Sequence, residues 1–349
     1  MKAKRIGIAL ALALTLGTGS LFAQTIPNFS QIQTDFGQFA DDIATTLPAA
    51  STIGLNWSSA YIGQLPHFGI GLATGFLMAP TTGLDALAGD FGMSSLSSAL
   101  GGYSGMIGVP IPAAVLEARI GGLFLPFDVG IKVGFIPNQT NLGNFLPAGM
   151  NLNFHLYGID IRYPLVKEGL LKPAVSVGLG FNHFDGYFSA PVGSTITVGS
   201  IYDPTISANQ TLTMAAPDAL FKWNSNAIDA TIQVSKSILY ILTPYVGFGA
   251  TYGISQAGGG LSAKMQLNGV DMTQAQAQAI EQYYAAATGQ TVSFDPSQGF
   301  TVLKNANGFS FRVYAGTSLN IWVLKLDVDG IYNLSTGKLG MNLGTRVQF

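Results

Sequence analysis

The chain has 349 residues with 16 Lys and Arg against 18 Asp and Glu, a net charge of −2, and no cysteine. Only 10% of its residues are charged although 48% are hydrophobic, whereas soluble domains carry about 25% charged residues. That balance offers no electrostatic footprint for nucleic acid, and 44 glycines argue against a helical bundle, since glycine weakens helices.

Lys2, Lys4 and Arg5 precede an apolar run from Ile6 to Leu16, and "GTGSLFAQ" supplies small residues with a cut expected after Ala23. Residues 1–23 thus have the three-part layout of a secretory signal peptide, too short for a spanning helix. No cysteine lies near the cut, so no lipoprotein anchor is expected. Next, "FSQIQTDFGQFADDIATTL" places Phe29, Ile32, Phe36, Phe39, Ile43 and Leu47 at spacings of three and four. The spacing predicts an amphipathic helix, ended by Pro48. Residues 24–50 are read as a plug or hatch segment, filling a lumen or lying in the periplasm, and 51–349 as a transmembrane barrel.

Beyond the signal, no apolar run approaches the roughly 20 residues of a membrane helix. Apolar residues are instead dispersed by alternation, as in an all-β, antiparallel transmembrane barrel whose strands face lipid and lumen in turn. Phe68, Ile70, Leu72, Thr74 and Phe76 share one face; so do Leu116, Ala118, Ile120 and Phe124, opposite Glu117 and Arg119. Val129, Ile131, Val133 and Phe135 oppose Asp128 and Lys132; Val175, Val177, Leu179 and Phe181 follow; Ile228, Ala230, Ile232 and Val234 oppose Asp229, Thr231 and Gln233. Further strands are "TPYVGFGATYG", "GFSFRVYAGTSLNI" and "WVLKLDVDGIYN". Ten strands are clear from Pro66 onward, and "STIGLNWSSAYIG" (51–63) adds an eleventh unless it is part of a plug. Bacterial single-chain barrels have even counts, so about twelve are expected, with 10–14 open.

In "NLNFHLYGIDIRY", Leu152, Phe154 and Leu156 are out of phase with Tyr157, Ile159, Ile161 and Tyr163. A one-residue slip exchanges faces, which predicts a bulge near Tyr157 or a strand end rising above the bilayer. Connections alternate between short ones (63–66, 125–127, 165–171, 237–243, 320–322) and long ones (79–112, 136–150, 188–226, 257–307). Short periplasmic turns and long external loops are the outer-membrane pattern, with 335–337 as a short external exception. "GSTITVGS", "TISANQTLTM" and "GLSAKMQL" can extend hairpins beyond the membrane, and helices are expected in external loops at 271–289 and 81–92. The closing "LGMNLGTRVQF" puts Leu339, Met341, Leu343, Thr345, Val347 and Phe349 on one face. Leu343, Val347 and Phe349 resemble the signal recognised by outer-membrane assembly machinery.

The stretch "FADDIATTLPA" (39–49) resembles the N-terminal hatch of FadL-type long-chain fatty acid transporters. Asp41, Asp42, Ala44, Thr45, Pro48 and Ala49 match, while Leu47 replaces an asparagine and Ala50 a glycine. "GLNWSSAYIGQLPHFG" is similar to spirochaetal barrels compared with the same family. The resemblance implies up to fourteen strands, a lumenal hatch and uptake of hydrophobic molecules.

Charged residues on the polar faces are Glu117, Arg119, Asp128, Lys132, Asp160, Arg162, Arg312, Lys325, Asp327, Asp329 and Arg346. Facing lipid, Arg or Lys would cost roughly 2–4 kcal/mol near the midplane, so all are expected to line the lumen. There they set an ion preference, hold a plug, or simply neutralise one another. Among His67, His155 and His183, only His155 with Asn151 and Asn153 faintly resembles the Ser-His-Asn set of barrel phospholipases, and no serine is in phase beside it. His67 and His183 read as solvated residues. No cluster has metal spacing, so neither enzyme activity nor a cofactor is expected. The leading expectation is an outer-membrane channel for small hydrophobic molecules, with a general diffusion porin and a loop-bearing adhesin or structural barrel as alternatives. Expected partners are a hydrophobic small molecule or detergent-like lipid, membrane lipid and the assembly machinery.

Overall fold

The computed structural model describes residues 29–80, 82–83, 108–122, 125–136, 151–191, 195–288, 295–297 and 299–349. The expected signal peptide and nearly all of the helix expected at 81–92 lie outside these residues.

Twelve strands form one sheet: β1 Phe68–Ala79, β2 Val109–Gly121, β3 Asp128–Ile136, β4 Asn151–Val166, β5 Ala174–Pro191, β6 Ile196–Asp203, β7 Ala208–Ser235, β8 Leu242–Leu267, β9 Val270–Asp271, β10 Phe300–Ile321, β11 Leu324–Asn333 and β12 Lys338–Gln348. Among the described residues, two long helices accompany them, α1 (Phe29–Ala50) and α2 (Gln274–Thr288). Ten strands close the barrel, because β5 pairs with β7, β7 with β8, β8 with β10 and β12 with β1. The short β6 and β9 pair only with the far ends of β7 and β8. Followed from Phe68 through Ile120, Val129, Ile161, Leu179, Ala230, Ala250 and Phe311, the register returns to β1 about twelve residues further along, a stagger that tilts strands by roughly 40°.

Ten closing strands correct the expected count of about twelve. The strand expected at 51–63 does not exist: Gly54 and Leu55 adopt φ of 85° and 62°, which no extended strand tolerates. The bulge expected near Tyr157 is absent as well. Pairing runs unbroken through Tyr157 on both sides, and the register shift falls between Pro164 and Val166. Phe154 and Leu156 are buried in phase with Arg162, so the apolar upper end of β4 simply faces inward.

The connections 122–127, 167–173, 236–241 and 322–323 gather at the end where Phe349 stacks on Phe68, ring centroids 5.1 Å apart. The other ends of the strands form the opposite, upper end. Much of the expected loops 188–226 and 257–307 is strand, since β7 and β8 run on above the barrel. There Val198, Leu212, Met214, Met265 and Leu267 form a cap core with Ala277 and Ile280 of α2.

Helix α1 descends through the lumen from this cap. Phe36 reaches the cap core, and Ile43, Ala44 and Leu47 pack against Leu77, Ile111 and Val115 of the wall. The helix continues through Pro48 to Ala50 instead of stopping before the proline. Close approach to the wall requires glycine there: a Cβ on Gly253 would lie 2.2 Å from the Pro48 ring.

Candidate functional site

The lumen divides into two halves. In the lower half the chain leaves α1 and descends as residues 51–67, held by wall side chains instead of strand pairing. Glu117 accepts hydrogen bonds from the Leu55 amide at 2.5 Å and from Trp57 Nε1 at 2.6 Å. Lys132 Nζ donates to the Ser51 and Ile53 carbonyls, each at 2.7 Å. Gln233 Nε2 donates to the Trp57 and Ser58 carbonyls at 2.8 and 3.1 Å, and Arg162 to that of Ser59 at 2.7 Å. Ser235 Oγ accepts from the Ala60 amide and Asp128 from the Ile62 amide, both at 3.0 Å. Over the Trp57 ring lie the guanidiniums of Arg346 and Arg119, 4.7 and 5.6 Å from its centroid.

The wall charges are mutually paired as well. Arg119 reaches Asp128 at 2.5 Å and Asp160 at 2.6 Å, and Arg162 reaches Asp128 at 2.9 Å. Arg312 pairs with Asp229 at 2.6 Å, and Arg346 contacts Asp327. Asp329 is held by Tyr245 OH at 2.9 Å and Asn342 Nδ2 at 3.0 Å. Between this plug and the wall remains a cavity of about 40 Å³ bordered by Leu55, Lys132, Asp160 and Asp229. Removing one partner of such a buried pair strands the other, which costs about 3–5 kcal/mol. The arrangement therefore holds residues 51–62 in one specific geometry.

The upper half carries an aromatic lining on one side, with a few buried polar side chains such as the hydrogen-bonded Ser225 and Ser255. Phe154 packs edge-on against Phe184 at 5.9 Å, Phe184 against Trp223 at 5.7 Å, Trp223 stacks with Phe221 at 6.0 Å, and Phe221 meets Phe39 of α1 at 5.1 Å. This aromatic ladder comes from β4, β5 and β7, whose inward positions at this height lie under α1 and not in water. Trp223 Nε1 is buried there without a hydrogen-bond partner.

Of the charges expected in the lumen, Glu117, Arg119, Asp128, Lys132, Arg162, Arg312, Asp327, Asp329 and Arg346 are buried inside; Asp160 is partly accessible and Lys325 half-buried. The sequence did not mark Trp57, Tyr245 or Asp229 for this site. A tryptophan in a Gly, Asn and Ser-rich stretch was the available signal for Trp57. Leu343 and Phe349 lie on the outer face, and the Phe349 amide donates to the Phe68 carbonyl at 2.9 Å. His67 bonds the Phe349 carbonyl at 3.2 Å. His155 and His183 are not separate: both contact Asp185, at 3.1 and 3.0 Å, on the outer wall, and His183 also meets Asn226 at 2.8 Å. His155 is thus engaged by a carboxylate, while the nearby Asn151 bonds Ser189 at 3.4 Å.

Outside, Leu72, Leu116, Ile131, Ile159, Leu179, Ile228, Phe248, Phe311 and Leu343 are exposed around the wall. An apolar exterior over a charged interior inverts a soluble protein, and closure leaves no unpaired strand edge for lipid to face. The chain is an outer-membrane β-barrel of a diderm bacterium with an occupied lumen. No protein-family model matches it, and no curated protein matches it. Among solved structures it is similar to the outer membrane protease OmpT from Escherichia coli at 8% identity, TM-score 0.40, covering 84% of this chain and 100% of that one. It is also similar to a major outer membrane protein from Thermus thermophilus (11% identity, TM-score 0.27, covering 81% and 98%). A Pseudomonas aeruginosa FadL homologue follows at 7% identity and TM-score 0.26, covering 90% and 97%. Likenesses this distant assign no activity to the chain.

Proposed function

We propose that this barrel is a gated outer-membrane channel for passive uptake of small hydrophobic molecules, closed in this state by its own N-terminal segment. The observation that carries the proposal is the aromatic ladder of Phe154, Phe184, Trp223 and Phe221 inside the lumen. A water-filled channel has a polar interior, whereas this upper half offers apolar surface that α1 now covers. A molecule entering from above would exchange contacts with α1 for contacts with the ladder. Release of residues 51–62 from the charged lower half would then open the route downward. A fatty-acid-like cargo suits this lining, in keeping with the hatch-like "FADDIATTLPA".

The reconstituted protein is expected to bind a fluorescent fatty acid and to show no steady conductance until the lock is broken. Deleting residues 24–62 is the informative truncation, because deleting 24–50 leaves the Trp57 lock in place. No lipid binding by the intact protein, together with no conductance after the longer deletion, would sink the proposal. The cap core above the barrel favours a second reading, a surface-binding barrel. In that case removing α2 would abolish surface binding and leave fatty-acid binding unchanged.

A further inference from the structure

The short turns at the Phe349 end carry side chains that turns in water avoid. Leu170 is 95% exposed, Leu239 81%, Tyr240 91% and Trp322 92%. Leu171 and Leu125 accompany them on the same rim. The backbone makes this costlier still: Leu239, Tyr240 and Trp322 have φ of 50°, 59° and 57°. That left-handed region is open to glycine and asparagine and disfavours bulky residues. The tight turns of the upper end carry no bulky residue there, with Ser207, Asn268, Gly269 and Gly337 at their left-handed positions. One end of the barrel therefore accepts backbone strain in order to display Leu, Tyr and Trp.

The height of the lipid belt says what these side chains meet. Above the outward-facing Ile228 on β7 stands Asn226, and below Val234 comes Lys236. The ten steps from Asn226 to Lys236, rising about 3.4 Å each along a strand tilted by roughly 40°, span about 25 Å, the height of a barrel's apolar band. The band is thus filled by the strands alone, between the His155–Asp185–His183–Asn226 cluster above and Lys236 below. The turn tips fall just beyond its lower edge, where Trp and Tyr are favoured at the headgroup level.

Polar groups of two neighbouring turns are withdrawn from the tips. Lys236 Nζ reaches Glu168 at 3.4 Å and donates to the Gly169 carbonyl at 2.5 Å. Glu168 in turn accepts from the Ser237 amide at 2.8 Å. This clamp joins the two turns, and Leu170, Leu171, Leu239 and Tyr240 stay exposed on them beneath the lipid-facing wall, flanked by the exposed Lys167 and Lys172.

We propose that the lower turns dip into the periplasmic leaflet, with Leu170, Leu171, Leu239, Tyr240 and Trp322 seated at the boundary of headgroups and acyl chains as a ring of anchors. The occupant is phospholipid, whose headgroup phosphates suit Lys167 and Lys172. The anchors would fix the depth of the barrel and leave its lower mouth at the membrane surface.

The chain supplies its own reporter. It has three tryptophans, and Trp57 and Trp223 are only 1% and 8% exposed. The full-length protein is reconstituted in phosphatidylcholine vesicles carrying bromine at a shallow or a deep acyl position, with Trp322→Phe subtracting the inner signals. The expected result is loss of most Trp322 emission with shallow bromine, weaker loss with deep bromine, and little quenching by aqueous iodide. Strong iodide quenching with no bromolipid effect would place the turns in water and overturn the proposal. Protection from both quenchers would mean that a second copy covers the rim, which also overturns it. In a companion variant, Leu170→Asn with Leu171→Asn, the barrel is expected to fold and the shallow-bromine quenching of Trp322 to persist, while a Trp placed at Tyr240 (Tyr240→Trp) becomes iodide-accessible beside the asparagines. Unchanged protection at that Trp would count against the joint apolar surface.

Discussion

The two halves of the lumen hold the same N-terminal segment by opposite means. Above, α1 lies on Leu77, Ile111, Val115 and the aromatic ladder, contacts that are non-directional and fade gradually as surfaces part. Below, residues 51–62 are held by Glu117, Asp128, Lys132, Arg162, Gln233 and Arg346 at fixed distances, and such contacts are lost all at once. A segment held this way can loosen from the top while the bottom stays shut. Under the proposed function this difference would let an apolar molecule enter before the channel opens, and it can be broken one half at a time.

The largest effect is expected for Asp128→Ala. It removes the shared acceptor of Arg119, Arg162 and the Ile62 amide, leaving Arg119 with Asp160 and the buried Arg162 guanidinium without a carboxylate, at a cost of about 3–5 kcal/mol. A fall in the unfolding midpoint in denaturant, with leak current in planar bilayers, checks it; unchanged stability would mean that the pairs are not held as described. Trp57→Ala takes away the ring under Arg119 and Arg346, with a loss of about 3 kcal/mol. It should raise conductance without weakening fatty-acid binding, because the ladder is untouched.

Gly253→Val attacks the upper half. With Pro48 only 2.2 Å from any Cβ there, α1 must shift, at about 1–3 kcal/mol for overpacking. The helix should become accessible to protease or labelling reagents and fatty-acid binding should change, while conductance stays low. Rising conductance would show that the halves are not independent. The smallest effect concerns the cap. Asp203 is pushed up by burial, but hydrogen bonds from Thr205, Gln276 and Gln210 outweigh this and hold its carboxyl below the ordinary value. The resulting stability is therefore present above an unfolded pKa of about 3.9 and is lost as pH falls through the lower folded value. Amide exchange in α2 should accelerate below about pH 4, and Asp203→Asn should remove that dependence.

Where one face of a strand meets lipid, alternation is compulsory, and there the ten barrel strands were readable in advance. Glu117, Arg119, Asp128 and Lys132 could be placed inside on the same ground, since lipid would not accept them. The reading failed where lipid is not the neighbour. Phe154 and Leu156 suggested a bulge because inward positions were taken to be polar, whereas α1 provides an apolar neighbour inside the barrel. Residues 51–63 alternate like a strand, yet their partners are side chains such as Glu117 and Gln233, distant in the chain. The pairing of Arg312 with Asp229 needed the register of β7, β8 and β10, which no single segment contains.

The sequence by itself marked this chain as an outer-membrane barrel, because ten alternating segments with very few charges overall suit strands that meet lipid on one side and a lumen on the other. It also determined which charges turn inward. Only the tertiary structure decided that those charges grip residues 51–62, that the upper lumen is aromatic, and that the lower turns project Leu, Tyr and Trp beyond the wall. Alternation is a local response to the solvent on either side of a strand. A lock, a lining and a rim depend on which distant residues closure of the sheet brings to one height.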